Sequence, residues 1–151
     1  MNIIFLDVDG VLNSLEYLKE QYYNNKRPYS GFDYPFDSKC LNNLVNLVNK
    51  TDAYLVITSS WRMHEIGKSI LLNELKKYNL DIRVIGYTDI LHKSRGEEIK
   101  AYLDKLDKDI KYIILDDDSD FLGIEDHLIK TNYEFGLTEQ DTNEAVKKLV
   151  K

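Results

Sequence analysis

The chain carries a single cysteine, Cys40, so it can form neither an internal disulfide nor a cysteine-rich zinc site. A secreted disulfide scaffold is thereby excluded, and a reducing, cytoplasmic setting is expected. Two prolines and seven glycines in 151 residues exclude collagen-like and proline-rich chains. Long hydrophobic runs are missing as well. The longest, Ile3 to Leu6, Tyr54 to Ile57 and Tyr112 to Leu115, are strand-sized and fall far short of the ~20 residues that span a bilayer. The N-terminus opens directly into a strand, without a basic region ahead of a long apolar stretch. No signal peptide and no membrane partner are therefore expected. A basic surplus is also lacking, since 20 Lys plus Arg stand against 26 Asp plus Glu, a net charge of −6. That balance disfavours tight electrostatic binding of nucleic acid, unless bound metal or a local basic patch reverses the field.

What is present is enough apolar material, 43% of residues, to fill the core of one domain. Asn2 to Leu6, Ala53 to Ile57, Ile82 to Ile85, Lys111 to Leu115 and, more weakly, His127 to Thr131 read as strands. Residues 38–50, 61–78, 95–107 and 138–150 carry apolar side chains three or four apart and read as helices. Thr138 with Asp141 three residues on resembles a capping box. Short strands alternating with helices predict an α/β, doubly wound, Rossmann-like fold. It comprises a central parallel sheet of about five strands in a single domain over 1–151. The stretch 13–37 breaks the rhythm. It holds both prolines and Tyr17, Tyr22, Tyr23, Tyr29 and Tyr34 beside Lys19, Lys26 and Arg27, and it reads as a long loop, either a pinned surface segment or a substrate-facing flap.

Chemistry gathers at strand ends. Asp7 and Asp9 follow the first strand in Phe5-Leu6-Asp7-Val8-Asp9-Gly10, and Asp116, Asp117, Asp118 and Asp120 follow another. In an open parallel sheet, ligands bind beyond the carboxyl ends of the strands near the switch in strand order. Adjacent acidic strand ends would crowd three or four carboxylates together, which is costly unless a cation sits among them. Hard oxygen donors on an open site suit Mg²⁺, which bridges readily to phosphate. A calcium loop starting at Asp116 fails, because Phe121 replaces the required glycine and His127 the terminal glutamate. Thr58 and Ser59 end the second strand, where hydroxyls can cradle an anion. Arg95, with Lys93 as its rival, can deliver a cation from the side.

This order along the chain resembles the haloacid dehalogenase (HAD) superfamily. Asp7-Val8-Asp9-Gly10 matches its first motif, and Thr58 or Ser59 its second. Arg95 matches its third, and Asp116 with Asp117 its fourth, with Asp120 as a further candidate. Val11 departs from the Thr found in many members. The strings Phe5-Leu6-Asp7-Val8-Asp9-Gly10-Val11-Leu12-Asn13 and Ile57-Thr58-Ser59-Ser60-Trp61-Arg62 are similar to the HAD domains of bacterial and phage RNA-repair proteins. The resemblance implies a Mg²⁺-dependent phosphohydrolase in which Asp7 becomes an aspartyl-phosphate and Asp9 serves as acid and base. Thr58 and Arg95 would hold the transferring oxygens. Asp7, Asp116, Asp117 and the Asp9 carbonyl would hold the metal. It implies a minimal cap, the short insertion after the first strand, and hence a large or protruding substrate such as a polynucleotide 3′-phosphate. A small nucleotide or a phosphoprotein remains open at this point. Trp61 and Arg62, beside the phosphate-binding strand end, are candidate substrate contacts. Trp61 has a competing place in the core, and Arg62 a competing ion pair with Glu65. A phosphoacceptor receiver or regulatory domain is the alternative of another class. It would place its acceptor Asp after the third strand, where Gly86 stands.

Overall fold

A computed structural model describes residues 1–106 and 109–150. Five strands, β1 (Asn2–Leu6), β2 (Tyr54–Ile57), β3 (Val84–Tyr87), β4 (Lys111–Asp116) and β5 (Leu128–Lys130), form one parallel sheet in the order β3-β2-β1-β4-β5. β1 is central because both of its faces are apolar, and the side chains split by parity as a pleated strand requires. Ile4 and Leu6 join Leu55, Ile57, Ile113 and Leu115 on one face. Ile3 and Phe5 join Val56 and Ile114 on the other.

Helices α2 (Ser38–Thr51), α3 (Glu65–Lys76) and α5 (Glu139–Val150) cover the first face, contributing Leu41, Leu44, Leu47, Leu71, Leu75, Ala145 and Leu149. Helix α4 (Arg95–Asp104) covers the second through Ile99. The architecture is therefore α/β, with helices on both sides of a parallel sheet.

Four expectations shift in detail. The third strand lies two residues later than Ile82 to Ile85, because Asp81–Arg83 makes a 3₁₀ turn that leaves Ile82 76% exposed. The helix expected from residue 61 starts at Glu65, since Ser59 caps a separate 3₁₀ turn, Ser60–Met63. The helix expected over 95–107 ends at Asp104, and Asp107 lies outside the described residues. Within 13–37, read as a loop, Leu15–Asn25 forms helix α1, capped by the Ser14 hydroxyl accepting from the Tyr17 amide. None of its residues is buried, so no core face announced it. The Thr138–Asp141 box forms as expected, each side chain accepting from the other residue's amide.

Candidate active site

Strand register builds the site. Leu6 sits opposite Ile57 on one side and Leu115 on the other, so the next residues, Thr58, Asp7 and Asp116, line up across three adjacent strand ends. The Asp7 amide donates to the Leu115 carbonyl and the Thr58 amide to the Leu6 carbonyl, both at 3.0 Å. The chain runs from β1 outward through β2 and β3 and then returns to the other side of β1, so this row lies at the switch in strand order.

Asp7, Asp116 and Asp117 each bring a carboxylate oxygen to within 4.8 Å of the others. Arg95 enters from the first turn of α4, whose start is fixed by the Ser94–Glu97 capping box. Its Nη1 lies 3.1 Å from Asp7 Oδ1 and donates to Asp116 Oδ2 at 2.7 Å. Three carboxylates against one guanidinium leave two negative charges unbalanced. Burial first, and then the Asp116 carboxylate, push the Asp7 carboxyl up to about 7 against the opposing pull of Arg95. The same two causes raise Asp117. Burial works against the Arg95 charge, but Asp7 and Asp116 outweigh it and hold the guanidinium protonated. A hard oxygen set with this deficit suits a divalent cation.

The loop after β1 is locked in place. Gly10 takes φ +80°, and a β-carbon there would run into the Asp117 carboxylate. The Gly10 amide donates to Asn13 Oδ1 at 2.8 Å, and its carbonyl accepts from the Thr131 hydroxyl at 2.7 Å. Asn13 Nδ2 donates to Asp9 Oδ1 at 2.7 Å, and the Trp61 indole N–H donates to Asp9 Oδ2 at 3.1 Å. Asp9 itself is exposed, beside rather than within the carboxylate cluster.

Thr58 and Ser59 separate. Ser59 Oγ accepts from the Trp61 amide at 3.2 Å. Thr58 Oγ1 is the buried side-chain polar atom that, among the described residues, has no hydrogen-bond partner. Such an atom is costly unless a ligand completes it. Arg95 and Lys93 separate too, for Arg95 pairs with the carboxylates while Lys93 lines the cleft beside them. That cleft, about 300 Å³, also carries Asp120 on its wall.

Trp61 and Arg62 are not open to substrate in the way the sequence allowed. Trp61 is 2% exposed and packs against Phe32 and Phe36, at ring distances of 5.0 and 5.3 Å. Its surface is spent on the core, leaving no face for a base. Arg62 is 3% exposed and pairs with Glu98 at 2.9 Å, not with Glu65. It also donates to the carbonyls of Thr58, Ser59, Thr88 and Asp89. Burial lowers its affinity for the proton, and Glu98 offsets this in part. Asn13, Glu98 and Thr131 escaped the sequence reading. Asn13 belonged to the motif string, but nothing local joins Thr131 to Gly10 or Glu98 to Arg62.

One family model, described as a HAD domain in Swiss Army Knife RNA repair proteins, matches residues 3–142. The chain belongs to this family. HAD domains are generally phosphohydrolases that use a divalent metal, and a cluster of acidic residues that could hold one is present here. No curated protein and no solved structure shows a significant match to the chain. Among the described residues, no helix of this HAD domain is long and apolar enough to cross a membrane.

Proposed function

We propose that this HAD domain, acting as a single unit over 1–151, hydrolyses a phosphate monoester at the end of a polynucleotide, with a 3′-phosphate as the preferred substrate. The reading is carried by the alignment of Thr58, Asp7 and Asp116 across neighbouring strand ends with Arg95 spanning two of them. Asp7 attacks phosphorus, so that an Asp7 oxygen–phosphorus bond forms while the bond to the leaving alcohol breaks. Asp9 gives its proton to the leaving oxygen. It then takes one from the water that hydrolyses the aspartyl-phosphate. Thr58 Oγ1 donates to a transferring oxygen and thereby gains the partner it lacks, while Arg95 balances the charge that accumulates there. Ser59 holds the turn that presents Thr58, and Lys93 and Asp120 flank the entrance.

Asp7, Asp116 and Asp117, with the Asp9 carbonyl, would hold Mg²⁺. When bound, the ion supplies the positive charge that keeps Asp7 ionised beside an anionic substrate.

The polynucleotide class is supported by the RNA-repair family and by the small size of the insertion after β1. That insertion presents Tyr22 and Tyr23, 51% and 70% exposed, as stacking faces. The test is kcat/KM on a 3′-phosphorylated oligonucleotide against the matching mononucleotide, in Mg²⁺. The oligonucleotide is expected to be the better substrate, with affinity falling as salt rises. Equal or faster hydrolysis of the mononucleotide would instead favour a small-nucleotide phosphatase.

A further inference from the structure

The Asp9 carboxylate is held at both of its oxygens. Each carboxylate oxygen receives one neutral N–H donor, from Asn13 and from the Trp61 indole. The Asn13 amide cannot turn over, because its oxygen already accepts from the Gly10 amide. The indole is fixed from the other side by two rings of the insertion after β1. Phe32 meets it nearly edge-on and Phe36 at a tilt. Phe32 comes this close because residue 67, inside α3, is a glycine, and a β-carbon there would strike the Phe32 ring and the Trp61 carbonyl. Glycine weakens a helix interior, so its place here is explained by this packing.

We propose that Trp61 is a positioning residue for Asp9, and that the insertion is a brace that sets the Asp9 carboxylate through Phe32, Phe36 and the indole. The inference rests on the reading of Asp9 as the group that protonates the leaving oxygen. In that step the proton moves from the Asp9 carboxyl to the departing alkoxide as its bond to phosphorus breaks. A misaimed Asp9 therefore harms esters of poor leaving groups and spares those that depart unprotonated.

Two measurements test this. The first compares kcat/KM on a 3′-phosphorylated oligonucleotide, which leaves as an alkoxide, with that on p-nitrophenyl phosphate. Trp61→Phe keeps a ring and removes the donor. It is expected to lose about 10- to 100-fold on the oligonucleotide, part of what proton transfer contributes, and less than about threefold on the nitrophenyl ester. Phe32→Leu, which touches no reacting group, should show the same pattern more weakly, and Asp9→Asn more strongly. Equal losses on both esters, or none, would overturn the proposal. A wild-type protein inactive on both would instead overturn the phosphohydrolase reading.

The second measurement needs no turnover. Trp61 is the only tryptophan in the chain, so its indole N–H gives one isolated NMR signal. That signal should move upfield in Asp9→Ala and partway in Phe32→Leu. An indole signal indifferent to both substitutions would exclude the hydrogen bond as a positioning contact.

Discussion

Thr58 keeps a hydroxyl in the interior with no partner, an arrangement that costs a folded protein roughly 1–3 kcal/mol. Thr58→Val removes that oxygen and keeps the shape. Urea unfolding should therefore show equal or greater stability, by up to about 1 kcal/mol, while turnover falls about 10²-fold. A variant that lost stability and kept its activity would assign the hydroxyl to the fold. Asp7 makes a second prediction at this scale. Its carboxyl titrates at about 7 in the metal-free fold against ~3.9 in an unfolded chain, so between these pH values the native state holds more protons. Stability from this group is full below about pH 4 and is lost as pH rises towards 7. A cation bound by the ionised carboxylates restores it. Melts in EDTA and in Mg²⁺ should thus diverge more at pH 8 than at pH 5. A Mg²⁺-induced shift that is absent, or the same at both pH values, would contradict the carboxylate cluster as the binding site. Both acidic strand ends were legible in the sequence because each is contiguous and closes an apolar run. The choice between Thr58 and Ser59 was not, since adjacent hydroxyls differ only in where the backbone turns them.

At the scale of elements, a buried ion pair ties three segments together. Arg62, in the turn after β2, pairs with Glu98 on α4 and donates to carbonyls both beside Thr58 and just after β3. Glu98 also accepts from the Leu91 amide at 2.8 Å. The helix that delivers Arg95 is thus pinned to the loop that delivers Thr58. Glu98→Ala leaves a buried cation without its counter-charge and should cost about 3–5 kcal/mol in urea unfolding. A loss below about 1 kcal/mol would show that the four carbonyls alone satisfy Arg62. Sequence spacing favoured Glu65 as the partner because it sees only neighbours along one helix, whereas Glu98 is 36 residues away. Strand β3 was displaced for a related reason. It is an edge strand with Gly86 in its middle, so its burial pattern is weak and the run from Ile82 looked equally strand-like. Helix α1 left still less trace, because without a buried face its only local signal was the Ser14 cap.

At the scale of the whole molecule, the sheet order makes chemistry out of distant segments. The first motif, the Thr58 turn, the start of α4 and the end of β4 are spread over more than 100 residues of sequence, yet meet at one end of the sheet because β1 lies between β2 and β4. An overall charge of −6 would repel an anionic substrate from most of the surface. At the site itself, Arg95 and a divalent cation would reverse that field locally. The insertion after β1 covers Trp61 rather than enclosing the site, which is consistent with a phosphate presented on a long chain. Asp7 is proposed as the nucleophile of a Mg²⁺-dependent phosphohydrolase. The most direct measurement is phosphate release from a 3′-phosphorylated oligonucleotide by wild type and Asp7→Asn, each with Mg²⁺ and with EDTA. Wild type is expected to release phosphate in Mg²⁺ alone, and a folded Asp7→Asn protein to lose at least about 10³-fold, as when a covalent nucleophile is removed. Substantial release by Asp7→Asn, or undiminished release by wild type in EDTA, would contradict it.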